Sequence, residues 1–362
     1  MAAHRISIEI FLQKAQAAPV LDVRSPGEYN HAHIPGAYSF PLFTDEERKV
    51  VGTTYKQQSR EQAIKVGLDS FGPNMRKMVE KAEAIVAGFN EAHPAANGKT
   101  VLVHCWRGGM RSAAIAWLLD LYGFEVYTLE GGYKTFRNWV LQQFEREYPV
   151  QVLGGYTGSG KTYVLQELKQ QGALVIDLEG LAHHKGSAFG NINMPPQPSQ
   201  EQFENKLALE LKQATQKIAE NGGGAIWMED ESQRIGDVNT PIVLWKHLRQ
   251  KPLYFLDVPF EERLHHIVEE YGNLPRERLV NAIIRIKKRL GGLETREALN
   301  ALVEDRIADS FRILLTYYDK WYTKGMHNRE DLASLLRTVT CERVEPQNWR
   351  LLQQQTTATR NV

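Results

Sequence analysis

Two short segments carry residue types in an order that handles an anion. The first is Cys105-Trp106-Arg107-Gly108-Gly109-Met110-Arg111-Ser112, placed between the apolar run Thr100–His104 and an apolar stretch at Ala113–Leu121. A cysteine at a strand end and a helix start is where a thiolate is favoured. The helix dipole, free backbone N–H groups and the neighbouring cations Arg107 and Arg111 all prefer negative charge there. Gly108 and Gly109 let the chain curl so that N–H groups point inward as an anion nest. The reading makes Cys105 a stabilised and exposed nucleophile, with Arg107 and Arg111 beside it. A buried cysteine in a turn would need none of these neighbours. The second segment, Gly155-Tyr156-Thr157-Gly158-Ser159-Gly160-Lys161-Thr162, follows the run Val150–Leu153 and precedes a helical stretch at Tyr163–Gln170. Its spacing is that of a phosphate-binding loop: Gly155, Gly158, Ser159 and Gly160 offer backbone N–H groups, Lys161 adds a point charge, and Thr162 reaches Mg²⁺.

Weaker signals surround the second segment. The strand Ile226–Met228 ends in Glu229, Asp230 and Glu231, and another ends in Asp177. Asp177, Glu229 and Asp230 are candidates to associate with Mg²⁺, although acids at strand ends are common. His183 and His184 have no further ligand at zinc spacing, so no structural metal site is expected. His265 and His266 fall in a helical pattern and read as a solvated or packed face. Leu279, Ile283, Ile286 and Leu290 recur at helical spacing, with Arg278, Arg285, Lys288 and Arg289 largely on the opposite face. Seven basic residues lie between Arg276 and Arg296 in a chain with 44 Lys plus Arg against 43 Asp plus Glu. That local excess is a candidate contact for nucleic-acid phosphates, a role the neutral whole does not announce.

The elements that position these segments alternate. Short apolar runs at Pro19–Val23, Thr100–His104 and Val126–Leu129, then at Leu174–Asp177, Ala225–Met228 and Leu253–Asp257, are separated by helical stretches. Alternation of this kind predicts α/β architecture with parallel sheets. The 362 residues suffice for two domains. They are expected at 1–145, with a polar helical insertion at about 44–97, and at 150–352, followed by a flexible tail at 353–362. The last hundred residues read as mainly helical. With only Cys105 and Cys341, a disulfide framework is not expected, and a reducing cytoplasmic setting is. No run of about 18 apolar residues is present, so no membrane association is expected.

Motifs beyond these two loops carry a family resemblance. Leu21-Asp22-Val23-Arg24-Ser25-Pro26-Gly27-Glu28-Tyr29, His33-Ile34-Pro35-Gly36-Ala37 and Leu129-Glu130-Gly131-Gly132-Tyr133 resemble, in order, the motifs of rhodanese domains. The resemblance implies that Asp22 and Arg24 buttress the cysteine loop and that the glycines serve turns. Cys105 and Arg111 are separated by five residues, one more than is usual in rhodaneses, a spacing similar to that of phosphatase-like relatives. A rhodanese-like α/β domain followed by a P-loop NTPase-like α/β domain with a helical extension resembles the bacterial tRNA 2-selenouridine synthases. That resemblance implies replacement of sulfur by selenium at the wobble 2-thiouridine of tRNA through an S-geranylated intermediate. It implies selenophosphate and geranyl diphosphate as substrates, selenophosphate synthetase as supplier of the donor, selanyl-cysteine at Cys105, and no tightly bound cofactor. A rhodanese-type sulfurtransferase fused to a small-molecule kinase is the alternative reading.

Overall fold

The computed structural model describes residues 3–94, 96 and 98–360. The chain divides into two compact units, with the boundary at Gln143 and Phe144; the sequence reading placed it at 145–150. Among the described residues no helix is long and apolar enough to cross a membrane.

The first unit is built on a five-stranded parallel sheet. Its strands are β1 (His4–Ile6), β2 (Val20–Asp22), β3 (Tyr38–Ser39), β4 (Thr100–His104) and β5 (Glu125–Leu129), in the order β1-β5-β4-β2-β3. The central strand β4 is buried along almost its whole length, which is why it reads as a continuous apolar run rather than an alternating one. The helix Met110–Tyr122 packs Ile115 and Leu119 into a core shared with Leu21, Val101, Val103 and Val126. The expected insertion is two helices, Asp45–Gln57 and Arg60–Ala92, each opened by a side-chain cap from Thr44 or Ser59. The longer one adds Phe71, Val79, Ala82 and Val86 to the same core.

The second unit has its own five-stranded parallel sheet. It comprises β6 (Val150–Gly155), β7 (Leu174–Ile176), β8 (Ile226–Glu229), β11 (Leu253–Asp257) and β12 (Leu336–Thr340), in the order β12-β11-β6-β8-β7. A small antiparallel hairpin, β9 (Arg234–Ile235) and β10 (Val238–Asn239), lies outside it. Helices Phe260–Tyr271, Arg276–Leu290, Gly292–Val303 and Ile307–His327 form the helical extension around Leu264, Leu279, Ile283, Phe311 and Leu314. In helix Arg276–Leu290 the apolar positions read from spacing do face inward: Leu279 and Ile283 are fully buried and Ile286 is partly so.

Three features depart from expectation. The short strands β1, β3 and β12 were not read from sequence, and β12 interrupts the helical C-terminal region by pairing in parallel with β11. The segment from Gln353 is not a loose tail through its described length, since helix Asn348–Arg360 runs across it and Leu352 is fully buried against the sheet's core cluster. Residues 361 and 362 of that expected tail lie outside the described residues.

Candidate functional site

The cysteine loop leaves the C-terminal end of β4, the middle strand of the first sheet, and enters helix Met110–Tyr122. Cys105 is buried, only 3% exposed, which corrects the expectation of an exposed thiol. Its position at the end of a fully covered strand keeps the sulfur inside, while Trp106, Arg107, Gly109 and Met110 of the loop are exposed. The Gly109 N–H donates to Sγ at 3.3 Å, and the Ser112 hydroxyl lies 3.3 Å from it. Burial alone would push the thiol up. The Ser112 hydroxyl and the backbone N–H groups of Ser112, Gly109 and Arg107 outweigh it and hold the thiol below its ordinary value. The site is therefore an anion nest whose anion is the protein's own sulfur.

Glycine is required where the closing motif meets this loop. A Cβ on Gly132 would stand 2.3 Å from the Cys105 carbonyl oxygen and 2.5 Å from the Gly108 nitrogen, at φ +64°. Tyr133 N–H then donates to the Cys105 carbonyl at 2.8 Å. Behind the loop, Arg24 pairs with Asp22 at 2.6 Å, donates to the Ala32 carbonyl at 2.7 Å and lies 3.7 Å from the Tyr133 ring centroid. Asp22 and Arg24 thus support the loop through Tyr133. Arg111 does not stand as a free cation: it forms an ion pair with Glu28 at 2.6 Å, and Arg48 lies 3.1 Å from the same carboxylate. Burial raises the Glu28 carboxyl, but its bond from Arg111 wins and holds it below the usual range. Glu28 was legible only as part of a motif, because nothing in its spacing links it to Arg111.

The phosphate loop leaves the C-terminal end of β6, the middle strand of the second sheet, and enters helix Lys161–Gln170. Lys161 Nζ donates to the Gly155 carbonyl at 3.0 Å. Gly158 has φ +80°, and a Cβ there would press on Ile267 at 2.8 Å. Arg263 anchors the loop from outside. It donates to the Thr157 carbonyl at 3.1 Å and pairs with Asp319 at 2.9 and 2.7 Å, with its side chain almost wholly buried. Tyr322 accepts from Gly155 N–H at 3.1 Å and donates to Asp230 at 2.7 Å. Neither Arg263 nor Tyr322 was read from sequence, since each lies more than a hundred residues from the loop it holds.

A cavity of about 800 Å³ opens over this loop, lined by Thr157 to Tyr163 on one wall and by Phe311, Leu314, Leu315, Tyr317 and Tyr318 on another. Large, with apolar and aromatic side chains beside many polar and charged ones, it has the character of a ligand site. The carboxylates that line it are Glu179, Asp230, Glu231 and Glu270, the last paired with Lys185. Glu179 and Glu231 both approach the Gly186 Cα, and both titrate above the ordinary carboxylate range. Burial is the main cause for each; their mutual repulsion adds to it for Glu179, and Lys161 opposes it for both. Both carboxyls therefore hold a proton more readily than a free carboxyl does.

The acids read from sequence are distributed differently. Asp177 caps its helix by accepting from Gly180 N–H at 2.6 Å. Glu229 is fully enclosed, accepts from Leu178 N–H at 3.1 Å and is raised by burial and by Asp177. Asp230 reaches the cavity but is bound to Arg329 and Tyr322. Among the described residues no group of three or more metal-ligating side chains is found. Of the basic positions, Arg278 and Arg285 donate to Asn193 and Asn191 at 3.1 Å each, Lys288 is exposed, and Arg289 lines the cavity. Cys341 is buried and free.

Residues 8–138 match the family model of the rhodanese-like domain, and residues 148–280 match that of the tRNA 2-selenouridine synthase AAA domain. Curated tRNA 2-selenouridine synthases are similar over most of the chain. That of Sulfurovum sp. (strain NBC37-1) is 35% identical, covering 84% of this chain and 87% of the relative. That of Bdellovibrio bacteriovorus is 34% identical, covering 87% and 90%. That of Hydrogenovibrio crunogenus is 35% identical, covering 86% and 90%.

Proposed function

This chain belongs to the tRNA 2-selenouridine synthase family, and from that premise we propose a division of chemistry between its two loops. The protein is a tRNA-modifying enzyme, with tRNA as its substrate partner. In the proposal, the second unit geranylates the sulfur of wobble 2-thiouridine. The first unit then replaces the alkylated sulfur by selenium from selenophosphate at the Cys105 loop: the selenium bonds to the ring carbon, geranylthiolate leaves, and water cleaves the remaining selenium–phosphorus bond to release phosphate.

The observation that carries the reading is the cavity, which puts a phosphate cradle and an apolar aromatic wall side by side. A nucleotide's ribose and base would ask for polar partners on that wall. A geranyl chain asks for Phe311, Leu314 and Leu315. In the transfer, the thiouridine sulfur bonds to the carbon attached to diphosphate oxygen, that carbon–oxygen bond breaks, and diphosphate leaves with the electron pair. Backbone N–H groups and Lys161 meet the developing charge on the diphosphate. Alkylation frees the base's ring N–H proton, and the Glu179–Glu231 pair is assigned to receive it. Mg²⁺ accompanying the diphosphate would be held by Thr162 with Asp230, which lines the cavity; Asp177 and Glu229 are occupied with backbone N–H groups. It would supply charge neutralisation. Geranylthiolate is the better leaving group for the second step, in which a carbon–selenium bond forms at the same ring carbon and the carbon–sulfur bond breaks.

The test is mass spectrometry of tRNA nucleosides after incubation with geranyl diphosphate, then with selenophosphate, with no nucleotide present. S-geranyl-2-thiouridine should appear first and 2-selenouridine second. Geranylation that occurs only on adding ATP, with hydrolysis in step, overturns the reading.

A further inference from the structure

The cavity over the phosphate loop has two chemically different ends, and an alkyl diphosphate accounts for only one. Helix Ile307–His327 runs past both. Near its start, Phe311 packs against Phe189 and Tyr271, with ring centroids 5.7 and 6.5 Å away, at the apolar end. Eleven residues on, hence roughly 16 Å along the axis, Tyr322 meets the phosphate loop at Gly155. Beyond that, the Gly325 carbonyl accepts from Arg249 Nη2 at 2.8 Å. The Arg249 guanidinium lies 5.0 Å from the Trp245 ring centroid, and the Trp245 indole N–H donates to the Glu231 carbonyl at 3.3 Å. The cavity therefore has apolar residues near Phe311 and a separate polar group made of Trp245, Arg249, Gln233 and Asn328.

This second end is built for a flat, polar ring. Arg249 spends one N–H on Gly325 and faces the cavity with the rest of its fork. Near it Arg329 has Asp230 as its ion-pair partner, so two guanidinium groups share that carboxylate. Trp321 also lines the cavity while remaining 46% exposed, its ring centroid 6.3 Å from that of Tyr317 and 5.3 Å from the Lys324 ammonium. An exposed indole beside a cation is a platform on which a base can stack without sequence preference. A uracil-type ring has a carbonyl acceptor for Arg249 and for the Gln233 or Asn328 amide, which leaves its ring N–H to the Glu179–Glu231 pair and its sulfur free to react.

We propose that this end seats the substrate's nucleobase: the wobble pyrimidine, swung out of the anticodon loop, stacks on Trp321 and accepts hydrogen bonds from Arg249. The assignment rests on the reading that alkyl transfer takes place at this loop. The geometry then follows the chemistry, because the base's sulfur must reach the carbon next to the diphosphate. In-line transfer needs that sulfur on the side of the carbon away from the diphosphate, and a base held by Arg249 and Trp321 shares one cavity with the donor. Enzymes that modify a base gain access to it by such extrusion, and single-stranded loops yield their bases at little cost.

The experiment titrates the full-length protein, without any donor, against two anticodon stem-loops. One carries 2-thiouridine at the wobble position and the other an abasic residue there. Wild type should prefer the intact loop by on the order of tenfold. Trp321→Ala and Arg249→Gln should each remove most of that preference while leaving affinity for the abasic loop and for geranyl diphosphate unchanged. Trp321→Phe should restore it. A preference that survives both substitutions, or an equal loss for both stem-loops, overturns the assignment. So does a loss that appears in ATP affinity instead, which would make this end an adenine seat. Wild-type geranyl transfer is measured in parallel: if it is absent while the base preference depends on Trp321, the donor reading fails and the base seat stands.

Discussion

The two loops occupy equivalent places in unlike units. Each leaves the C-terminal end of the middle strand of a five-stranded parallel sheet and runs into a helix. In the first, N–H groups converge on Cys105 Sγ, a charge the chain brings itself. In the second, the residues curl around open space, and Lys161 rests on the loop's own carbonyl. The contrast shows what a strand–helix junction supplies by itself, a concentration of aligned N–H donors. What fills it decides the chemistry. Buried sulfur makes a nucleophile with a lowered pKa; an open cradle makes a seat for phosphates. The first loop is closed by local contacts from Gly132 and Tyr133. The second is held by distant residues, Arg263, Asp319 and Tyr322.

Removing the occupant of the first loop should give the largest effect. Cys105→Ser is expected to abolish 2-selenouridine formation and to leave geranylation at the wild-type rate, both read by nucleoside mass spectrometry. Selenation by the folded variant would break the contrast outright. Lys161→Ala should do the opposite. Geranylation is expected to fall by about 10²–10³, the usual cost of losing one preorganised group at a developing negative charge. Selenation of tRNA supplied already geranylated should persist.

A smaller effect sharpens the account of the sulfur. Because the folded thiol lies below its ordinary value, its thiolate persists into more acidic solution and is lost as pH falls through that lowered value. The pH profile of Cys105 alkylation by iodoacetamide should therefore have its midpoint below that of a free thiol. Ser112→Ala removes the leading stabilising bond, so the midpoint should move up and alkylation at neutral pH should slow severalfold. An unmoved midpoint would assign the lowering to the backbone N–H groups alone.

The smallest expected effect concerns tRNA affinity away from both loops. Arg285→Gln with Lys288→Gln should weaken tRNA binding severalfold and flatten its salt dependence by about one counterion per lost phosphate contact. Arg289→Gln, which alters the cavity wall, should instead lower the geranylation rate with little change in the salt slope. Identical behaviour of the three positions would make them one patch.

Much of this arrangement was legible because it is local. Cys105 with Gly108 and Gly109, and Gly155 through Thr162, announce themselves by spacing, since a tight loop at a strand end needs its residues in consecutive order. The parallel sheets followed from the alternation of apolar runs and helices, and the buried face of Arg276–Leu290 from its period. The edge strands β1 and β3, of three and two residues, are too short to leave a pattern.

What tertiary structure alone decided is pairing across distance. Arg111 was read as a cation for the cysteine loop and proves bound to Glu28, 83 residues earlier. The acids that face Lys161's cavity include Glu179 and Glu231, whereas Asp177 and Glu229, equally plausible at strand ends, turn to backbone N–H groups. A strand end specifies that an acid stands near the loop, but a side chain's direction depends on which donors the neighbouring elements present. The apolar wall came from Phe311, Leu314 and Leu315, which in sequence are one face of an ordinary amphipathic helix. Their second role arises because Tyr322 of that helix binds the phosphate loop and Asp319 pairs with Arg263, which donates to it. Only the folded chain sets that face beside the loop, because the direct contact, Tyr322 to Gly155, joins residues 167 positions apart.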